Sequence, residues 1–444
     1  MRPQQEMQLN RMRGLKLAFL SVLLALSPLA SALEFEPFVG AGVRFTDNAK
    51  LTENNEDSDQ ILTGFVGARI TDNDGPLRAN ADTSLTYENY LENTYGDKHW
   101  FYLAATAGWE MIRDRVDWGV SNYFTQTQVN NLDSETPSNI QNTNVFSFGP
   151  DITLPLSARQ TITLRPLFTD FYYQDSDTDN QQYGVTADWL YKLRPDMQAG
   201  ISGGATTVKY DDSDKNPDYS TYNLGGVVTG TRPRSQYSIE MGRTNISRDN
   251  ADDQNGFYAN LDWLYNITGH SSIRAYAATA LTDSSQELLN SQTDPGTGDY
   301  SNVQTSGDVL RNKIFRVSYI RKDSTLNSNI YTEFRDLDYK ESPDDREVKE
   351  IGAQLDYQVT TVLSTGIYGS YNNTKESDMS NDYKRYQTGV TAGYKLSRKL
   401  STRFDLRYQK KDSSSNNNEY TEYSAFLGLV YGLGSIPTTG GYGY

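Results

Sequence analysis

The chain has no cysteine and only two histidines in 444 residues, so neither a disulfide framework nor a thiolate or imidazole metal cluster is open to it. Past residue 32 it also lacks any apolar run of the roughly 18 residues that a membrane-crossing helix requires. Hydrophobic residues make up 36% of the chain and the mean hydropathy is −0.68, which is too little Leu, Ile and Val for a dense soluble core of this length. Basic residues are outnumbered 57 to 41 by acidic ones and form no stripe, so nucleic acid is not an expected partner.

What the sequence does have is aromatic residues: 32 Tyr, 16 Phe and 5 Trp. Low apolar content with many amphipathic rings suits a transmembrane β-barrel. Its strands alternate lipid-facing apolar residues with lumen-facing polar ones, and its aromatics gather at the two membrane interfaces. A disordered acidic chain is the plainer alternative, and it fails on the aromatic content.

An export signal opens the chain. Arg11, Arg13 and Lys16 precede the apolar run Leu17–Leu26, and Ala30-Ser31-Ala32 follows, the order of a charged n-region, an h-region and an A-x-A cleavage site. Cleavage after Ala32 is expected, leaving a barrel over 33–432 and a Gly-rich tail over 433–444. Removing residues 1–32 takes away four basic residues and one acid, which moves the formal charge from −16 to −19. The acid excess sits in presumptive loops such as 53–59, 175–179, 211–214 and 341–345. Solvated loops explain it better than specific cation binding.

Period-two alternation recurs along the remaining chain. Tyr423, Ala425, Leu427, Leu429 and Tyr431 share one face, as do Phe257, Ala259, Leu261, Trp263 and Tyr265. The same two-faced pattern marks 101–109, 116–120, 183–191 and 351–359. Short connections alternate with long ones. Turns are expected at 73–75, 113–115, 157–159, 194–196, 232–234, 268–270, 322–324, 360–361 and 397–399, and longer loops near 46–58, 126–143 and 283–306. Nine turns imply ten loops and twenty strands, so the fold class is all-β: a single antiparallel up-and-down transmembrane barrel of 18–20 strands. Its lumen is too wide for wall side chains to fill, and the first strand starts too early for an N-terminal plug of the TonB-dependent receptor kind.

Alternation sends Tyr102, Glu110, Asp117, Tyr123, Asp188, Glu240, Tyr258, Asp262, Arg316, Tyr331, Asp356, Arg385, Arg403, Asp405 and Arg407 into the lumen. Charges of both signs point to wall-stiffening cross-strand pairs before solute selection. Inward tyrosines offer aromatic faces suited to sugar rings, unless they sit at the rims as interface residues. His99 and His270 lie apart, and no catalytic, metal or cofactor site is expected.

The segment Phe35-Glu36-Pro37-Phe38-Val39-Gly40-Ala41-Gly42-Val43-Arg44-Phe45-Thr46-Asp47-Asn48, followed by Asp59-Gln60-Ile61-Leu62 and Leu85-Thr86-Tyr87-Glu88-Asn89-Tyr90, resembles the beta-barrel porin family found with bacterial exopolysaccharide genes. The resemblance implies a channel in the outer membrane of a Gram-negative bacterium, surrounded by outer-membrane lipids and inserted by the barrel assembly machinery. It implies export of a polysaccharide or oligosaccharide with a periplasmic polysaccharide-export lipoprotein and an inner-membrane polymerisation complex. It supplies no functional residues. A general or sugar-uptake porin and a non-conducting structural or adhesive barrel are the alternatives.

Overall fold

A computed structural model describes residues 33–249, 252–293, 306–377, 382–414 and 418–432. The expected leader over 1–32 and tail over 433–444 lie outside the described residues. Along the chain come β1 (Glu34–Thr46), β2 (Asp59–Asp72), β3 (Leu77–Tyr90), β4 (Lys98–Ile112), β5 (Val116–Gln128), β6 (Ile140–Ser157) and β7 (Gln160–Tyr173). Then follow β8 (Asn180–Arg194), β9 (Met197–Tyr210), β10 (Tyr219–Arg232), β11 (Ser235–Arg248), β12 (Gln254–Asn266) and β13 (Ser271–Asp283). A helix, α1 (Ser284–Thr293), separates these from β14 (Val309–Lys322), β15 (Leu326–Tyr339), β16 (Arg346–Gln358), β17 (Leu363–Glu376), β18 (Tyr383–Lys395), β19 (Leu400–Ser413) and β20 (Tyr420–Gly432).

Each strand pairs antiparallel with its neighbours in sequence, and β1 pairs with β20 from Phe38↔Gly432 to Thr46↔Ser424. The result is a closed barrel of twenty strands. Closure leaves no open sheet edge, whose unpaired N–H and C=O groups would cost several kcal/mol each in hydrocarbon. Strands about 4.8 Å apart and tilted by roughly 40° make a backbone cylinder about 40 Å across.

All nine expected turns fall between paired strands and gather at one end. Their chemistry fits their shape: Gly75 (φ 92°) and Asp114 (φ 56°) take the left-handed conformation that a tight hairpin needs. Bulges near Glu110, Pro155 and Lys192 sit at the same end and increase local twist. The longer connections form the other, loop-side end. There the acidic loops serve their own hairpins: Asp179, Asp218, Asp345 and Asp382 accept from the backbone N–H of Tyr173, Tyr210, Tyr339 and Glu376 at 2.7–2.9 Å.

Ladder register sorts the side chains into two faces. Val39, Leu62, Leu85, Trp109, Phe148, Tyr183, Leu224, Phe257, Ile351 and Leu427 project outward and are exposed, forming the apolar belt. Inward residues are mostly polar or small; the large apolar ones, such as Phe65, Phe171, Val208 and Leu337, are buried, and several rings lie over glycines. A Cβ on Gly42 would come within 2.6 Å of Phe426 Cζ, so only glycine leaves room for that ring. Phe426 packs there with Phe65, Val430 and Phe38, and the Phe38 and Phe65 rings stand 6.4 Å apart.

Candidate functional site

The ladder registers put all fifteen sequence-selected residues on the inward face. Glu110 stands opposite Asp117, and Arg78 donates to Asp117. Arg165 pairs with Asp188, and Arg274 with Asp262 at 2.8 Å. Asp356 accepts from Gln354 Nε2 at 2.9 Å. These groups line the turn-side half of the lumen; Tyr102, which is 40% exposed, and half-buried Tyr123 face the lumen nearer the loop-side ends of β4 and β5.

The inward charges of β19 divide: Arg403 pairs with Asp405 at 3.6 Å, whereas Arg407 turns to Glu422 on β20 at 3.2 Å. Asp405 also accepts from Tyr368 Oη at 3.3 Å. Tyr258 and Tyr331, expected to offer aromatic faces, are not open. Each ring lies over glycine, Gly242 and Gly352 respectively, and each hydroxyl donates to a carboxylate, Tyr258 to Glu240 at 2.9 Å and Tyr331 to Glu350.

The loop-side half is a different environment because two connections fold inward. Strands run to Gln128 and resume at Ile140, so the β5–β6 loop is 129–139. It reaches across the lumen to the far wall. Arg346 on β16 donates to Asn131 Oδ1 at 2.9 Å, Arg385 on β18 pairs with Glu135, and Lys411 on β19 donates to the Leu132 carbonyl.

The second insert is α1. The β12–β13 ladder stops at Ala259↔Thr279, while β13 continues against β14 up to Asp283↔Val309. The top of that hairpin therefore leans inward, and Leu281 and Val309 pack on Val208, Tyr210, Tyr219 and Ile246. Asp283 then caps the helix by accepting from Gln286 N at 2.7 Å. Ser285 Oγ meets Tyr173 Oη at 3.1 Å and Asn180 Nδ2 at 2.9 Å. Leu288 packs against Val145, Phe171 and Tyr173. Glu287 faces the opposite wall, where Asn312 and Arg335 approach it, and burial raises its carboxyl pKa above the ordinary value.

Beneath α1 lies a buried charge cluster. Glu333 is held between Arg316 at 3.4 Å and Arg335 at 3.1 Å, all three with side chains at most 8% exposed. The Arg316 guanidinium also lies 4.3 Å from the centre of the Tyr331 ring, which weakly compensates its desolvation. Of these residues the sequence reading selected Arg316 and Tyr331 but not Glu333, Arg335 or Glu350. Period two along β15 and β16 carries the same inward signal for them.

Residues 325–432, covering β15 to β20, match the family model described as Putative beta-barrel porin 2. No curated protein matches. Among solved structures, the FrpB iron transporter of Neisseria meningitidis (F3-3 variant) superposes with a TM-score of 0.49 at 9% identity, covering 91% of this chain and 82% of its own. OccK2 of Pseudomonas aeruginosa gives 0.38 at 9% identity, covering 90% and 98%. The siderophore receptor PirA of the same species gives 0.43 at 11%, covering 90% and 80%. The chain is thus similar to the family described as Putative beta-barrel porin 2 over its last six strands, about a quarter of its length.

Proposed function

We propose that the chain is an outer-membrane channel of a Gram-negative bacterium that passes a polysaccharide or oligosaccharide outward and performs no covalent chemistry. The observation that carries this reading is the asymmetry of the lumen. Its turn-side half is wide and lined by partly exposed charges. Its loop-side half is narrowed by two inserts held through hydrogen bonds and ion pairs. Such a vestibule accepts a hydrated chain from the periplasmic side, and anchors of this kind can release singly. Paired charges and ring faces suit saccharides, whose hydroxyl edges and C–H faces need both.

Deleting the gene should lower surface polysaccharide while leaving its synthesis intact, and a deletion strain with a normal surface coat would sink the export reading. Swelling of liposomes carrying the purified chain in small sugars would favour an uptake porin. Planar bilayers without any unitary conductance would favour a structural barrel.

A further inference from the structure

Positive charge on the outside of the barrel is unevenly placed. On a chain of formal charge −16, Lys349, Lys375, Lys384 and Lys410 occupy outward positions at the loop-side ends of β16, β17, β18 and β19. Lys349 stands opposite Asn373, Asn373 opposite Lys384, and Lys410 opposite Tyr386, so the cations share one corner. The rings Tyr371 and Tyr386 meet at a tilt with centroids 5.0 Å apart, as do Tyr408 and Tyr423. They form the aromatic girdle that marks the membrane interface.

Two of the lysines are partly neutralised, Lys349 by Glu347 at 2.6 Å and Lys410 by Asp412 at 2.8 Å. Lys375 and Lys384 are exposed; they stand opposite Glu347 and Asp412, but those carboxylates pair with Lys349 and Lys410, and neither lysine makes an ion pair of its own among the described residues. Turn-ward of Lys384, starting at Thr388 on the same strand, an outward groove of about 710 Å³ is lined by Phe45, Val390, Leu406, Tyr408, Tyr423 and Ala425. It is continuous with the apolar belt. Its other flank carries Asp47 and Glu92, which repel an anion and favour the lysine side as its seat.

We propose that this corner docks a phosphate-bearing lipid of the surrounding leaflet, its phosphate on Lys375 and Lys384 and one acyl chain in the groove. The lysines sit at head-group height, just loop-ward of the girdle, and the groove runs from there into the apolar belt. Each cation beside an anionic head group raises retention by about fivefold, so a zwitterionic lipid of the same chain length gains little.

The test uses the purified full chain in non-ionic detergent, with retained lipid counted by native mass spectrometry. Phosphatidic acid and phosphatidylcholine of matched chains are the probes. The parent should retain phosphatidic acid over phosphatidylcholine by about 25-fold, fivefold for each lysine. The double variant Lys375→Gln/Lys384→Gln should lose most of that preference with phosphatidylcholine unchanged. The outward pair Lys209→Gln/Arg243→Gln, on β9 and β11, should behave as the parent does. Equal retention of both lipids by the parent, an undiminished preference in the first variant or an equal loss in the second would overturn the proposal.

Discussion

Along the inward row of β16, Arg346, Val348 and Glu350 are buried, while Gln354 is exposed and Asp356 half-exposed eight to ten residues further on. The row on β19 repeats this, from buried Lys411 and Gln409 to Arg403, whose side chain is 37% exposed. The wall is of one kind from end to end. What differs is the company: on the loop side the inserts 129–139 and α1 cover it, and on the turn side water does. The same residue types thus act as anchors in one half and as a solvated lining in the other, and burial sets their energetic weight.

Removing the cover should erase that difference. A variant with 131–138 and 284–293 each replaced by a short Gly-Ser link should show single-channel conductance raised by roughly an order of magnitude, because the narrowest section moves to the bare wall. An unchanged conductance would mean that the inserts do not form the constriction and that the two halves carry current alike.

The next contrast is in stability. Glu333→Ala leaves Arg316 and Arg335 buried without their carboxylate, and losing one partner of a buried ionic cluster costs about 3–5 kcal/mol. Asp356→Ala in the open half should stay within about 0.5 kcal/mol. Urea unfolding of the chain in lipid vesicles measures both. Equal losses would show that the loop-side cluster is as well hydrated as the turn-side row.

Glu287 supplies a pH dependence. Its folded carboxyl is raised by burial, so the docked helix binds more protons than the undocked one between the ordinary carboxylate pKa and the raised one. Docking is then strongest below the ordinary value and weakens as pH rises through the raised value. Conductance should accordingly climb with pH, and Glu287→Gln should flatten that slope. A slope that survives in the glutamine variant would assign it to another group.

The barrel was legible in the sequence because lipid on one side and water on the other impose a strict period of two. The short turns, with their Gly, Asp and Pro, pointed to twenty strands within a range of 18–20, and twenty are present. Inward facing followed from the same rule, since parity along β8 or β12 decides it without any tertiary contact. What parity cannot carry is height along the strand and what stands in front of it. Tyr102 and Tyr258 read alike, yet one faces open lumen and the other lies over Gly242 with its hydroxyl on Glu240. The inserts were hidden for another reason. Asp283-Ser284-Ser285-Gln286 is a helix-start pattern, but the inward placing of its helix depends on contacts with β7, β8 and the β14–β15 wall that are distant in sequence. The long loop 129–139 likewise looks solvated until Arg346, Arg385 and Lys411 arrive from the other side.

The smallest expected effect probes the open half itself. Asp356→Asn removes one half-exposed inward carboxylate from a wall roughly 40 Å across. At physiological salt a charge is screened within about 8 Å, so ions near the axis hardly sense it. The reversal potential in a potassium chloride gradient should move toward anions by only a few millivolts, and less at higher salt. The equivalent change beside an insert, Glu135→Gln, acts where the passage is narrow and also takes the carboxylate away from Arg385, so it should shift selectivity further and make the open level noisier. If Asp356→Asn gave the larger shift, the turn-side half would be the narrower one, and the two ends of the lumen would have to exchange their assigned roles.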